Sequence, residues 1–201
     1  MRVIGLLFSC ILLVFARGVD AAGVAEILQR AESAEQSVSY RGMKKANISV
    51  RGGLATSIYK VVHLKPDKTR TEYFTPDPLA GVIVVQSGSD FWRYHPKEKS
   101  WETVPYSGLP SADSLRREAL SNYDMRIVGS GVVAGRPTYV IHATPKRGRE
   151  SARRIWVDRD YYLVMQTQVE SSEGRILSSS GFTSIQVNPR DISREIFEVA
   201  A

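Results

Sequence analysis

Gly81-Val82-Ile83-Val84-Val85-Gln86-Ser87-Gly88-Ser89-Asp90-Phe91-Trp92-Arg93-Tyr94-His95-Pro96 decides the fold. Gly81 to Gln86 is the most apolar run outside the first residues, and four turn formers follow it. Phe91 to His95 then alternates aromatic and polar side chains. A β-branched run, a turn and a returning aromatic run make a hairpin. The run is short and continuously apolar, so it reads as a central strand. Alternation puts Trp92 and Tyr94 on one face.

The same rhythm extends in both directions. Strands are expected at Tyr40 to Arg51, Thr56 to Leu64, Thr69 to Phe74 and Ser100 to Val104. They resume at Met125 to Val128, Thr138 to Ala143, Arg153 to Asp158, Leu163 to Glu170 and Arg175 to Phe182. Gly52-Gly53, Pro66-Asp67, Pro76-Asp77-Pro78, Pro96-Lys97, Arg159-Asp160 and Ser172-Glu173-Gly174 supply turns. Regular hairpins of this kind give an antiparallel sheet rather than βαβ units. Val24 to Gln36 has helical spacing, with Val24, Ile27, Leu28 and Ala31 on one face. Ser111 to Leu120 can form a short inserted helix. Ile192, Ile196, Phe197 and Val199 can pack back as a tail. The expected fold is α+β, mainly β. It is a single large curved antiparallel sheet of about ten or eleven strands, an unclosed barrel with both helices on its concave side.

The chain has 201 residues, 27 Lys+Arg and 21 Asp+Glu, for a net charge of +6. The excess is modest and dispersed, so nucleic acid is not an expected partner. Arg2, the apolar Ile4 to Phe15 and the small residues around Ala21-Ala22 have the layout of a secretory signal. Residues 1–21 are therefore expected as a cleaved leader, and 22–201 as one exported, periplasmic domain. Cys10 is the single cysteine. It lies inside the apolar run, so lipidation there is not expected. Without further cysteines neither an intramolecular disulfide nor a cysteine metal cluster can form.

Chemistry is sparse. His63, His95 and His142 each fall within an expected strand, where a local hydrogen bond is the ordinary role. Asp90 and Asp158 read as turn residues. Asn47-Ile48-Ser49 fits a glycosylation sequon, a pattern common by chance. No G-x-S-x-G, HExxH or phosphate-binding glycine loop is present, so no enzyme, cofactor or metal site is expected. Binding surface is richer. Tyr59, Val61, Phe74, Val82, Val84, Trp92, Tyr94, Trp101, Trp156 and Met165 are candidates for the wall of an apolar cavity, with core packing as the alternative. Lys146, Arg147, Arg149, Arg153 and Arg154 are candidates for an anionic head group or an acidic partner, with a solvated hairpin tip as the alternative.

The opening hairpin, with Gly135 to Ile141, Arg154 to Asp158, Leu163 to Thr167 and Phe182 to Ile185, resembles the MucB/RseB N-terminal domain. At the level of fold it is also similar to the LolA/LolB lipoprotein carriers. That resemblance implies an unclosed barrel with a helical lid over a hydrophobic cavity. It implies a periplasmic carrier or envelope sensor that holds acyl chains of lipids or lipoproteins. A lipoprotein-release complex, a periplasmic anti-sigma domain and transient contact with a membrane surface are the partners it suggests. The chain ends near Val199, so the second domain of the longer regulators is not expected here. A sigma-E-type regulator acting mainly through the anti-sigma factor is the second reading, and an exported hydrolase the third.

Overall fold

The computed structural model describes residues 21–51, 53–105, 121–147 and 151–199. Helix α1 (Ala21–Ser37) leads into β1 (Tyr40–Val50), β2 (Gly53–Leu64), β3 (Lys68–Thr75), β4 (Ile83–Ser87), β5 (Asp90–His95) and β6 (Ser100–Thr103). After the segment that holds the expected inserted helix, which lies outside the described residues, come β7 (Tyr123–Val133), β8 (Arg136–Pro145), β9 (Ala152–Asp158), β10 (Val164–Glu170) and β11 (Ile176–Val187). The expected leader likewise falls on residues that are not described, apart from Ala21 at the start of α1.

All eleven strands form one antiparallel sheet in the order β6-β5-β4-β3-β2-β1-β11-β10-β9-β8-β7. β6 and β7 stand at its two ends, so the sheet is unclosed. β7 nevertheless touches β11 across three intervening strands, which shows how strongly that half curls. The centre differs from expectation. β4 is third from the edge, and the middle strand is β1, with the polar sequence YRGMKKANISV. Hydropathy favours β4, but position follows pairing: β1 holds β2 on one side and the distant β11 on the other. An antiparallel strand tolerates polarity because one of its faces can meet water.

The α1 stripe covers one face and spans two clusters. Val24, Ile27 and Ala31 pack on Ile141 and Val157. Ala34 and Val38 join Tyr40, Val61, Leu163, Met165 and Phe182. The buried His63 fixes the end of the helix. Its Nε2 donates to the Glu35 carbonyl at 2.7 Å, so in the neutral ring Nδ1 accepts from Thr69 Oγ1 at 3.0 Å. Lys65 Nζ donates to the Ser37 carbonyl at 3.2 Å, so two last-turn carbonyls find partners.

The opposite face of β2–β6 belongs to the C-terminal segment. Phe197 is buried against Val62 and Val85, and Ile192, Ile196 and Val199 pack around it with Trp92 and Trp101. Arg70 Nη1 donates to the Ile196 carbonyl at 3.1 Å. The tail thus packs back as its sequence suggests, on the face that α1 leaves open. Removing the Phe197 ring leaves a cavity under a short segment, so Phe197→Ala is expected to cost ~3–5 kcal/mol in a urea titration.

Strand β7 outruns its sequence signal. β7 continues through Gly129 and Gly131 to Val133. A Cβ on Gly131 would sit 3.1 Å from the Trp156 indole, so the glycine makes room for that ring. Asp158, expected as an ordinary turn residue, does close the β9–β10 turn, but it is fully buried. Its carboxylate accepts from Arg136 Nε at 2.6 Å and Nη2 at 3.1 Å, and from the Asp160 and Tyr161 amides at 3.0 and 2.7 Å. Asp158→Asn keeps the shape but strips the charge opposite Arg136. We expect it to cost ~3–5 kcal/mol, read from the same titration.

Candidate functional site

Register assigns each candidate side chain to a face, because directly paired residues point the same way. Val61, Thr71, Val84, Arg93 and Glu102 form one cross-strand row, on the α1 side. Val62, Arg70, Val85, Trp92 and Thr103 form the neighbouring row, on the tail side. The ten wall candidates therefore do not share one surface. Val61 and Met165 are buried core beneath α1, and Trp156 packs against the same cluster. Tyr59 and Val84 are half-buried on the α1 side. Val82 precedes β4 and accepts from the Tyr73 amide at 3.0 Å. Phe74 stands at a bulge between the Tyr59–Tyr73 and Ile58–Thr75 pairs, and it is exposed.

Trp92, Tyr94 and Trp101 do meet, on the tail side. Tyr94 and Trp101 are paired and their ring centroids are 5.3 Å apart. With Phe197, Val199 and Thr103 they line a half-open groove of about 1070 Å³. Glu102 borders the groove from the edge strand β6, and on the α1 side of that edge it approaches His95 Nε2 at 2.9 Å and Arg93 Nη1 at 3.3 Å. His95, followed by the charge of Arg93, holds the Glu102 carboxyl below its ordinary range. The groove is thus aromatic at its floor and polar at its edge.

The basic segment divides as well. Arg153 pairs with Ala143 and Val169, while Arg154 pairs with His142 and Gln168, so the two arginines face opposite sides. Arg153 lies over the Tyr123 ring at 5.9 Å, and Arg154 Nε is 3.5 Å from Glu170 Oε1. Lys146 Nζ is 4.0 Å from Asp124. Arg149 lies outside the described residues, and Arg147 is exposed. The segment is not a single cationic face.

A third surface escaped the sequence reading. On the α1 side of β1, Lys44, Ala46, Ile48 and Val50 follow one another in a single row. Lys44 pairs with Tyr59 and Phe182, Ala46 with Ser57 and Ser180, and Ile48 with Ala55 and Ser178. Ile48 and Val50 are 54% and 51% exposed, a large value for neighbouring aliphatic side chains at one end of a sheet. The i, i+2 spacing in KKANISV is the signal that could have found this row, but its serine and lysine neighbours mask it. Gly42 sets its inner end: a Cβ there would lie 2.3 Å from the Ser184 carbonyl and 2.9 Å from the Phe182 ring. Only glycine lets that ring seat over β1.

Lys44 itself is half-buried, with its ammonium 4.7 Å from the Phe182 ring centroid. Burial pushes its pKa below the usual lysine value, and the charge of Glu35 on α1 offsets part of that shift. Tyr40 beside it is pushed strongly upward, by burial and then by Glu35, whose Oε2 is 3.4 Å from the phenol oxygen. Tyr59 and Ser180 join hydroxyls at 3.0 Å one step along the row. Among the described residues no three His, Cys, Asp or Glu side chains converge as metal ligands, and no helix is long and apolar enough to cross a membrane.

The described residues form an open antiparallel sheet, covered by a helix on one face and a returning tail on the other. The sequence pattern of the MucB/RseB N-terminal domain matches residues 23–200, and the chain belongs to that family. MucB of Pseudomonas aeruginosa, the sigma factor AlgU regulatory protein, is 33% identical over 63 residues, which are 31% of this chain and 20% of that protein. The solved P. aeruginosa MucA/MucB complex aligns with a TM-score of 0.69 at 19% identity, covering 89% of this chain and 61% of that one. An uncharacterized conserved protein from Thermus thermophilus aligns at 0.63 and 12% identity, covering 89% and 94%. At such identities the structural likeness shows the fold. This chain spans about three fifths of the solved MucB chain.

The lowered pKa of Lys44 makes a stability prediction. The unfolded chain binds that proton more tightly than the folded chain, so this group makes stability rise with pH towards the ordinary lysine range. Lys44→Met is expected to raise the unfolding free energy near neutrality by about 1 kcal/mol. The advantage over the parent should shrink in titrations at progressively alkaline pH.

Proposed function

We propose that this chain is a periplasmic, non-enzymatic binding domain whose sheet holds the acyl chain of a lipid or lipoprotein, as a carrier or an envelope sensor. The observation that carries the reading is the exposed aliphatic end of the β1 row, where Ile48 and Val50 stand on the same face at i, i+2 spacing. Apolar side chains in such a row gain free energy when a hydrocarbon covers them, about 0.8 kcal/mol for each buried CH₂. A half-covered sheet face also suits varied chains, because contact depends on area and not on directional bonds.

A second reading has its own support. MucB of P. aeruginosa is seen in complex with MucA, so a periplasmic anti-sigma segment is the protein partner to test. The tail-side groove of Trp92, Tyr94 and Trp101 offers the aromatic contacts that protein interfaces favour. The two readings are compatible if loading with an acyl chain changes affinity for the partner.

The acyl reading is tested with a neutral probe. A fluorescent C16 alkyl ester should bind the purified protein saturably at one-to-one stoichiometry. The double substitution Ile48→Ser with Val50→Ser should weaken it roughly tenfold, the equivalent of ~1.4 kcal/mol of lost apolar contact. No saturable uptake of the ester would sink the acyl reading and move the weight to the anti-sigma partner.

A further inference from the structure

The β1 row carries an inference that rests on the acyl-binding reading and deepens it. Its aliphatic end is exposed, but its inner end is a cation. Lys44 lies against the Phe182 ring and makes no ion pair with any described carboxylate. Across the strands from it stand the joined hydroxyls of Tyr59 and Ser180, either of which can donate outward. A half-buried ammonium beside two hydroxyls, without an anion bonded to it, is chemically suited to an anion from outside.

We infer that the row is a track for a single fatty acid, its carboxylate held at Lys44 and its chain running over Ala46 toward Ile48 and Val50. Distance agrees with this. Lys44 to Val50 is six strand steps, roughly 20 Å, the length of a long acyl chain. The floor agrees too, because Ala46, Ser57, Ser178 and Ser180 are small and leave a shallow trough between taller neighbours. Beyond them Ile48 and Val50 supply the aliphatic end.

Charge selects the head group. One ammonium balances one negative charge, and the site has no arginine fork of the kind that grips phosphate bidentately. Glu35 stands close enough for its charge to act on Lys44. It therefore competes with any incoming anion and penalises a doubly charged head group most. A carboxylate is the head group that fits this balance, and one row takes one chain.

The test is competition for the bound ester probe by hexadecanoate, methyl hexadecanoate and a C16 lysophosphatidylglycerol, with the parent protein and with Lys44→Met. Hexadecanoate should bind about tenfold more tightly than its methyl ester to the parent, the margin of a charge-assisted contact. Lys44→Met should erase that margin and leave the ester unchanged, and a urea midpoint at or above the parent's will show that the variant folds. Glu35→Gln should widen the margin by removing the competing charge. Equal binding of acid and ester to the parent would overturn the inference, as would a margin that survives Lys44→Met. Tighter binding of the lysophospholipid than of hexadecanoate would overturn the carboxylate assignment. In each of these cases ester binding persists, so the acyl reading stands. Only failure of the ester itself takes down both.

Discussion

The pairing of β1 with β11 is the contact on which the rest of the structure depends. It runs from Tyr40–Val187 to Ile48–Ser178 and joins the first strand to the last. Without it the chain would be two separate meanders, β1 to β6 and β7 to β11, each with an unprotected edge. With it there is one curved sheet, whose middle is the most polar long strand. The register slips once, between Met43 and Lys44, and at that place Phe182 settles over Gly42. The Phe182 ring then contacts Tyr40 edge-on at 5.7 Å and becomes part of the core beneath α1.

That single pairing also sets the two faces apart. α1 can reach β2 through Val61 and His63 and β8–β9 through Ile141 and Val157 only because β1 and β11 lie between them in one surface. The turn at Asn188 is tied to Ser39, whose carbonyl accepts the Asn188 amide at 2.7 Å. From there the tail crosses to the opposite face and seals Val62 and Val85 with Phe197. Each cover leaves part of its face open. On the α1 side the opening runs from Lys44 to Val50, and on the tail side it is the aromatic groove.

Much of this was legible. All eleven strands, the N-terminal helix and the returning tail are readable from period, turn residues and β-branched runs, because those signals are local. The errors lie where a non-local contact overrides the local signal. Gly129 and Gly131 look like an ended strand, yet β7 continues because its partner β8 and the Trp156 ring make the small residues useful. Asp158 looks like a surface turn, yet the turn is folded under Arg136. Chemistry alone groups the wall candidates together, but the parity of each pairing sends Tyr59 and Val84 one way and Trp92, Tyr94 and Trp101 the other.

The sequence by itself determines the elements and the architecture class: alternating runs, short turns and one amphipathic stripe leave an antiparallel sheet with a helix on it. It does not determine strand order, because β1 and β11 lie far apart in the chain and nothing local encodes their register. Side-chain parity along a strand is known to the sequence only as alternation. Which parity meets the helix, which meets the tail and which stays open is decided when the strands pair. Lys44 is therefore an ordinary lysine in the sequence. It becomes a half-buried cation at the head of an aliphatic row only after Tyr59 and Phe182 have taken their places on either side.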